Sequence, residues 1–186
     1  MSEVIRLNEN QLKEVRDLLY VYRNGADKAI SRAINYGLKQ GEMAMVNGIY
    51  SKAALTKRKI REHVKMKKAY FTQHQASVTL SSKPLSLIDY GAKTTNNGVT
   101  FRIWRTGSRE RYKHAFIWTL VKSKYTGVFE WKPGEKGKIR RKAGPRIPLI
   151  YQNTPGLAKK ANQTGGDAMI RELDRQVGLL NRGLLT

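Results

Sequence analysis

Cysteine is absent from this 186-residue chain, which excludes a disulfide framework, a thiolate nucleophile and a zinc–thiolate site. Acids are scarce: fourteen Asp and Glu stand against thirty-six Lys and Arg, a formal net charge of +22. No two carboxylates are spaced as an acid/base or two-metal pair. No apolar run approaches the ~20 residues of a membrane span. The opening MSEVIRLNEN has an early acid and no apolar centre of a secretory signal. The expectation is a soluble protein made in a reducing compartment, with no membrane partner. Nucleotide-binding and nucleophile motifs are missing too: there is no GxxxxGK[ST], no GxGxxG after a strand and no GxSxG. His63, His74 and His114 stand apart from any metal-ligand spacing. RNP-like, KH-type and zinc-finger patterns do not occur. The sequence nominates no catalytic, cofactor-binding or metal residue, no cofactor and no enzymatic activity.

What is present is a basic chain with enough apolar residues for a core: 40% are hydrophobic and nine are tyrosine, which argues against wholesale disorder. A chain of this length buries roughly 70% of its unfolded surface. A charge surplus this large must meet polyanion or be cancelled by acidic neighbours in an assembly.

The organising stretch is 84–131, which holds Trp104, Trp118 and Trp131 and every phenylalanine except Phe71. Val99, Phe101 and Ile103 alternate with Thr100, Arg102 and Trp104, the period of a half-buried strand. The run 115–120 reads as a strand covered on both faces, and 127–131 as a third, shorter one. Asn96-Asn97-Gly98 is a turn signal between strands. Residues 64–68 and 76–80 read as a pair of strands with Val78 and Leu80 facing inward, and 146–150 as a last short strand.

Helices flank these strands. Residues 4–7 read as an edge strand or arm, and Asn8 caps a helix carrying Leu12, Val15, Leu19 and Tyr22, which Asn24-Gly25 ends or bends. A second helix carries Ala26, Ala29, Ile30, Ala33, Ile34 and Leu38 on one stripe, for packing within the chain or against another subunit. Gly41 and Gly48 weaken its continuation through Met43, Met45 and Ile49. Thr56 caps a short helix reaching about His63 with Ile60 inward. Lys159–Gly166 reads as a glycine hinge. Beyond it, Thr164 or Asp167 caps a helix whose stripe Ile170, Leu173, Val177 and Leu180 docks on its own domain or on a neighbouring subunit, with Gly183 as the stop. The expected fold is α+β: N-terminal helices packed on a mostly antiparallel β-sheet, with a C-terminal amphipathic helix. The expected organisation is one domain over 1–160, helical in 8–63 and sheet-rich in 64–150, followed by the helix of 161–186.

Two basic regions stand out. Residues 52–68 hold eight Lys or Arg against Glu62, and 102–146 hold fourteen against Glu110, Glu130 and Glu135. Residues 106–113 read as a connecting loop bearing Arg109, Arg111 and Lys113. Residues 133–145 read as a flexible loop bearing Lys136, Lys138, Arg140, Arg141 and Lys142. Either a solvated face or phosphate contact suits such clusters. Asp89 is expected to partner an arginine. Trp104 and Trp118 are expected in the core or at a subunit interface, with base stacking on an exposed sheet face as the alternative.

The order of these signals resembles the phage minor tail protein Z family. The matching segments are LTKRKIREHV (55–64), KPLSLIDYGA (83–92), GVTFRIWR (98–105), KHAFIWTL (113–120), GVF (127–129) and RIPL (146–149). The likeness spans about residues 10–150. It departs at Asn153-Thr154-Pro155-Gly156, where the family has Gly-Pro-Ser. The resemblance implies a structural virion protein, without a cofactor, that completes the head-proximal end of a phage tail tube and prepares it for joining to the DNA-filled head. It also implies a homo-oligomer in a hexameric ring, made in the host cytoplasm and resident in the virion tail. Tail tube or tail terminator proteins, head–tail connector proteins and the packaged DNA would be its partners. The eight cations named above are then candidates for the DNA lumen or a neighbour contact, and Ile170, Leu173, Val177 and Leu180 for a subunit interface. The alternative is a non-specific nucleic-acid-binding protein acting through the basic loops.

Overall fold

The computed structural model describes residues 25–182, and the expectations for 1–24 and for Gly183 lie outside them. The fold is α+β, with antiparallel sheets and a long C-terminal helix. The elements are α1 (Ala26–Lys52), α2 (Lys57–Arg61), β1 (Val64–Lys67), β2 (Ser77–Leu80), β3 (Leu85–Ser86), β4 (Lys93–Thr95), β5 (Gly98–Phe101), β6 (Glu110–Tyr112), β7 (Ala115–Thr119), β8 (Thr126–Trp131), β9 (Ile139–Gly144), α3 (Ile147–Gln152) and α4 (Leu157–Asn181). They divide into two compact units. Of the described residues, the first takes 25–46, 64–80 and 155–182, and the second takes 47–63 and 81–154.

In the first unit the stripe of α1 is buried as its spacing requires: Ala29, Ile30, Ala33 and Ile34 share one core with Met169, Leu173 and Leu180 of α4. Full burial of each large aliphatic side chain favours the fold by about 1.5–3 kcal/mol. The small residues of α1 therefore serve packing within the chain. Despite Gly41 and Gly48, α1 continues to Lys52, with Met45 and Ile49 buried and Met43 partly exposed. The expected hinge at 159–166 is helix instead, because α4 starts at Leu157 and runs through Gly165-Gly166. Its N-cap is Gly156, with φ 72°, rather than Thr164 or Asp167. Gly165 lies against the backbone of Gly37 and Gly41, where a side chain would crowd α1. β1 and β2 pair as expected, and do so antiparallel, Val64 opposite Leu80 and Met66 opposite Val78, with Val78 and Leu80 buried. Asn35 fixes the connection after β1 by accepting the Ala69 N–H at 2.8 Å and donating to the Ala69 carbonyl at 2.9 Å.

In the second unit, Thr56 caps α2 through its hydroxyl, which accepts the Lys59 N–H, and Ile60 is buried. Two antiparallel sheets follow, in the orders β3-β9-β8-β7 and β4-β5-β6. Asn96 and Asn97 form the two-residue loop joining β4 to β5. Gly98 closes that turn at φ 110°, and a side chain there would strike the Tyr112 carbonyl of β6. Val99, Phe101 and Ile103 are buried as their alternation requires, although the strand itself ends at Phe101.

Four expectations fail here. Residues 146–150 are not a strand: Ile147–Gln152 is helical, since Pro148 suits a first turn and Ile147, Ile150 and Tyr151 bury at helical spacing. β7 is not covered on both faces; it is an edge strand with Trp118 54% exposed. The loop at 106–113 contains β6, paired with β5. The loop at 133–145 shrinks to the turn before β9, which pairs with β3 on one side and β8 on the other.

Candidate functional site

β8 and β9 run antiparallel with Glu130 opposite Arg140, Phe129 opposite Arg141 and Val128 opposite Lys142. Strand alternation then sends Glu130, Arg140 and Lys142 to one face and Arg141 to the other. On the first face, the Glu130 carboxylate accepts hydrogen bonds from Arg140 and lies 2.7 Å from Lys142 Nζ. Lys142, and then Arg140, hold the Glu130 carboxyl below the usual carboxylate range. Lys142 also stands 4.9 Å over the Tyr112 ring, which packs on Phe101 at 4.8 Å between centroids. Two cations expected in a mobile loop are thus fastened to a strand by a single acid. At the turn before β9, Glu135 bridges Lys138 at 2.7 Å and Lys132 at 3.3 Å, which lowers its carboxyl pKa in that order of effect.

Arg109 is spent on the backbone. Its guanidinium donates to the Gly91 carbonyl at 2.7 Å and the Thr100 carbonyl at 2.9 Å, which clasps the turn before β4 to β5. Arg111, Lys113 and Lys136 are exposed and, among the described residues, have no ion-pair partner. Of the eight cations singled out by sequence, these three and Arg141 keep their charge uncommitted to an acid or a carbonyl.

On the opposite face of the same sheet, Phe116 packs on Trp131 at 5.4 Å and edge-on to Trp118 at 6.2 Å. Trp131 is 58% exposed, so neither it nor Trp118 is a core residue. Trp104, at 39%, is also partly exposed, beside its bridge to Ala53. Arg141 lies 4.7 Å over the Tyr125 ring, and Tyr125 meets Phe129 edge-on at 6.4 Å. Trp118 and Trp131 therefore form an exposed aromatic surface on this face, while Phe129 is buried.

Beside the Arg141 guanidinium opens a cavity of about 310 Å³, lined by Lys59, His63, Pro84, Leu85, Ser86, Ile88, Asp89, Tyr125, Thr126 and Arg141. Asp89 does face this cavity, but its partner is Lys59 at 3.4 Å, not an arginine. Lys59 also meets Glu62 at 3.1 Å. Bonding to Glu62 raises the Lys59 pKa, burial opposes this, and Asp89 adds to it. Sequence reasoning did not assemble this cavity, because its walls come from four segments, from Lys59 to Arg141, that are distant in the chain. No group of three or more His, Cys, Asp or Glu able to hold a metal occurs among the described residues. Nor is any described helix long and apolar enough to cross a membrane.

The proposed interface stripe is turned inward: Leu173 and Leu180 belong to the core of the first unit, Val177 packs against it, and Ile170 is half-buried. Docking on its own chain is the arrangement present. No protein-family model, no curated protein and no solved structure matches the chain.

Proposed function

We propose that this chain is a structural virion protein that completes the head-proximal end of a long phage tail, as a ring of six copies, and readies it for the DNA-filled head. The observation that carries the reading is the ordered series of family-like segments. They coincide with α2, β3 and its following turn, β5, β7, β8 and α3, so that all but Val64 belong to the second unit. Two features of that unit support it. Exposed Trp118 and Trp131 on one sheet face are the kind of aromatic surface enriched at protein contacts. Arg111, Lys113 and Lys136 supply positive charge suited to a wall around DNA. The partners on this reading are the tail tube or terminator, the head–tail connector and, through phosphate contacts, the packaged DNA. The site is the virion tail.

Electron microscopy of particles made without this protein tests the role: filled heads and separate, unattached tails are expected. Normal, joined virions in its absence would sink the reading. The same aromatic face favours a second one, a non-specific nucleic-acid binder with bases stacked on Trp118 and Trp131. The two separate in solution. A ring protein forms discrete oligomers without DNA, whereas a free binder stays small and loses DNA steeply as salt rises.

A further inference from the structure

The cavity beside Arg141 has a composition that fits one ligand chemistry. Lys59 meets Asp89 at 3.4 Å and Glu62 at 3.1 Å, and Arg58 meets Glu62 at 3.4 Å, so two cations balance two acids and the sign of the cavity is left to its other ionisable groups. Those are His63 and Arg141, and among the described residues Arg141 has no carboxylate partner. Its guanidinium is positioned instead by the Tyr125 ring at 4.7 Å, which holds the planar fork without consuming its charge. The Ser86 hydroxyl accepts the Ile88 N–H at 3.3 Å, so its own proton stays available. The Tyr125 hydroxyl is buried against Gly127 and out of a ligand's reach, so Tyr125 serves the site through its ring. His63 Nδ1 is 3.2 Å from the Lys59 carbonyl, which leaves Nε2 clear of that contact. Donors thus dominate around Arg141, and the one lining acid is already matched.

We propose that this cavity binds a phosphoryl group: Arg141, held by the Tyr125 ring, takes its oxygens, and Ser86 donates a hydroxyl hydrogen bond. The volume exceeds that of an inorganic anion and admits a small organic body attached to it. The inference stands on the cavity alone and is independent of the tail-assembly reading. A phosphate monoester and a backbone phosphate of nucleic acid present the same oxygens, so the test separates them.

The experiment is an amide-resolved NMR titration of the intact chain at constant ionic strength, using inorganic phosphate, a nucleoside monophosphate and an oligothymidylate in separate arms. Saturable shifts at Ser86, Tyr125 and Arg141 are expected. Arg141→Gln should weaken phosphate binding about ten-fold or more, as loss of a charged hydrogen-bonding partner does. Ser86→Ala should weaken it by a smaller factor. Lys39→Gln, on α1 in the first unit, removes the same charge and should change nothing. If the monophosphate shifts these resonances and the oligonucleotide does not, the ligand is a free ester. If the oligonucleotide displaces phosphate from them, it is a nucleic-acid backbone. Shifts scattered over the surface lysines, or equal losses in Arg141→Gln and Lys39→Gln, would overturn the assignment. Should Arg141→Gln lose amide dispersion, Ser86→Ala decides: unchanged affinity there rejects the site.

Discussion

Gly37 of α1 faces Gly165 of α4 so closely that a Cβ on Gly37 would stand 2.6 Å from the Gly165 carbonyl oxygen and 2.7 Å from Met169 Cβ. This contact sets the separation of the two helices in the first unit. Gly37→Ala therefore destabilises that unit, by about 1–3 kcal/mol from overpacking against backbone that cannot yield. The gain in helix propensity, about 1 kcal/mol, is smaller. Gly166→Ala makes the opposite case, since nothing lies within 4 Å of its added methyl group. It should stabilise by about 0.5–1 kcal/mol. Urea denaturation of the two variants beside the parent checks both signs.

Glu130 is the acid that ties β9 to β8. Its folded pKa is lowered by Lys142 and Arg140, so the unfolded chain binds more protons as the pH falls below about 4.5. Its stabilising contribution is present above that range and is lost as pH falls towards the folded value. Glu130→Gln should cost about 1 kcal/mol at neutral pH, discounted because Arg140 is half exposed. It should also flatten the acid limb of stability against pH. Urea midpoints from pH ~7 down to pH ~3 measure this; an unchanged acid limb would remove Glu130 as its source.

Tyr90 is 1% exposed, packs its ring on Gly144 and donates its hydroxyl to the Pro145 carbonyl at 3.0 Å. Burial, reinforced by Asp89, raises its pKa far above that of an exposed phenol. The folded state then holds a proton the unfolded state has released. Stability is full below the unfolded value of about 10 and declines as pH rises past it. Tyr90→Phe should lose about 1–2 kcal/mol at neutral pH through the orphaned carbonyl, and lose part of the alkaline decline as well. Phenolate absorbance should lose, in Tyr90→Phe, a component that in the parent ionises only with unfolding.

Replacing Arg140 and Lys142 to test for DNA binding would break their pairing with Glu130 and confuse charge with folding. Lys113→Gln, Lys122→Gln and Lys136→Gln together avoid that, since all three side chains are exposed. For every duplex phosphate that the variant no longer neutralises, the slope of log affinity against log salt should fall by ~0.9. A triple variant with an unchanged slope and an unchanged fold would show that these lysines do not meet DNA.

Local features were legible wherever the deciding interaction was short in sequence. The Thr56 cap, the Asn96-Asn97-Gly98 turn, the buried alternation of Val99, Phe101 and Ile103, and the stripe of α1 follow from periodicity and from side chains that bond within a few residues. The helix at 147–152 was also written locally, in Pro148 and the spacing of Ile147, Ile150 and Tyr151, but a short apolar run resembles a strand until its length is known.

The sequence by itself determined the α+β class, the excess of positive charge, the lack of thiol chemistry and which faces of α1 and β2 are apolar. Tertiary structure alone decided what the charges do. Arg140 and Lys142 look mobile in a glycine-containing basic run, yet they are strand residues because Glu130, ten and twelve positions away, lies across the β8–β9 register. Gly165-Gly166 reads as a hinge until Gly37 is placed against it, because close approach of two backbones leaves no mark in either helix's own period. Arg141 became distinct from its neighbours for the same reason: one step along a pleated strand reverses the face, and only the assembled sheet shows which face holds a carboxylate and which a cavity.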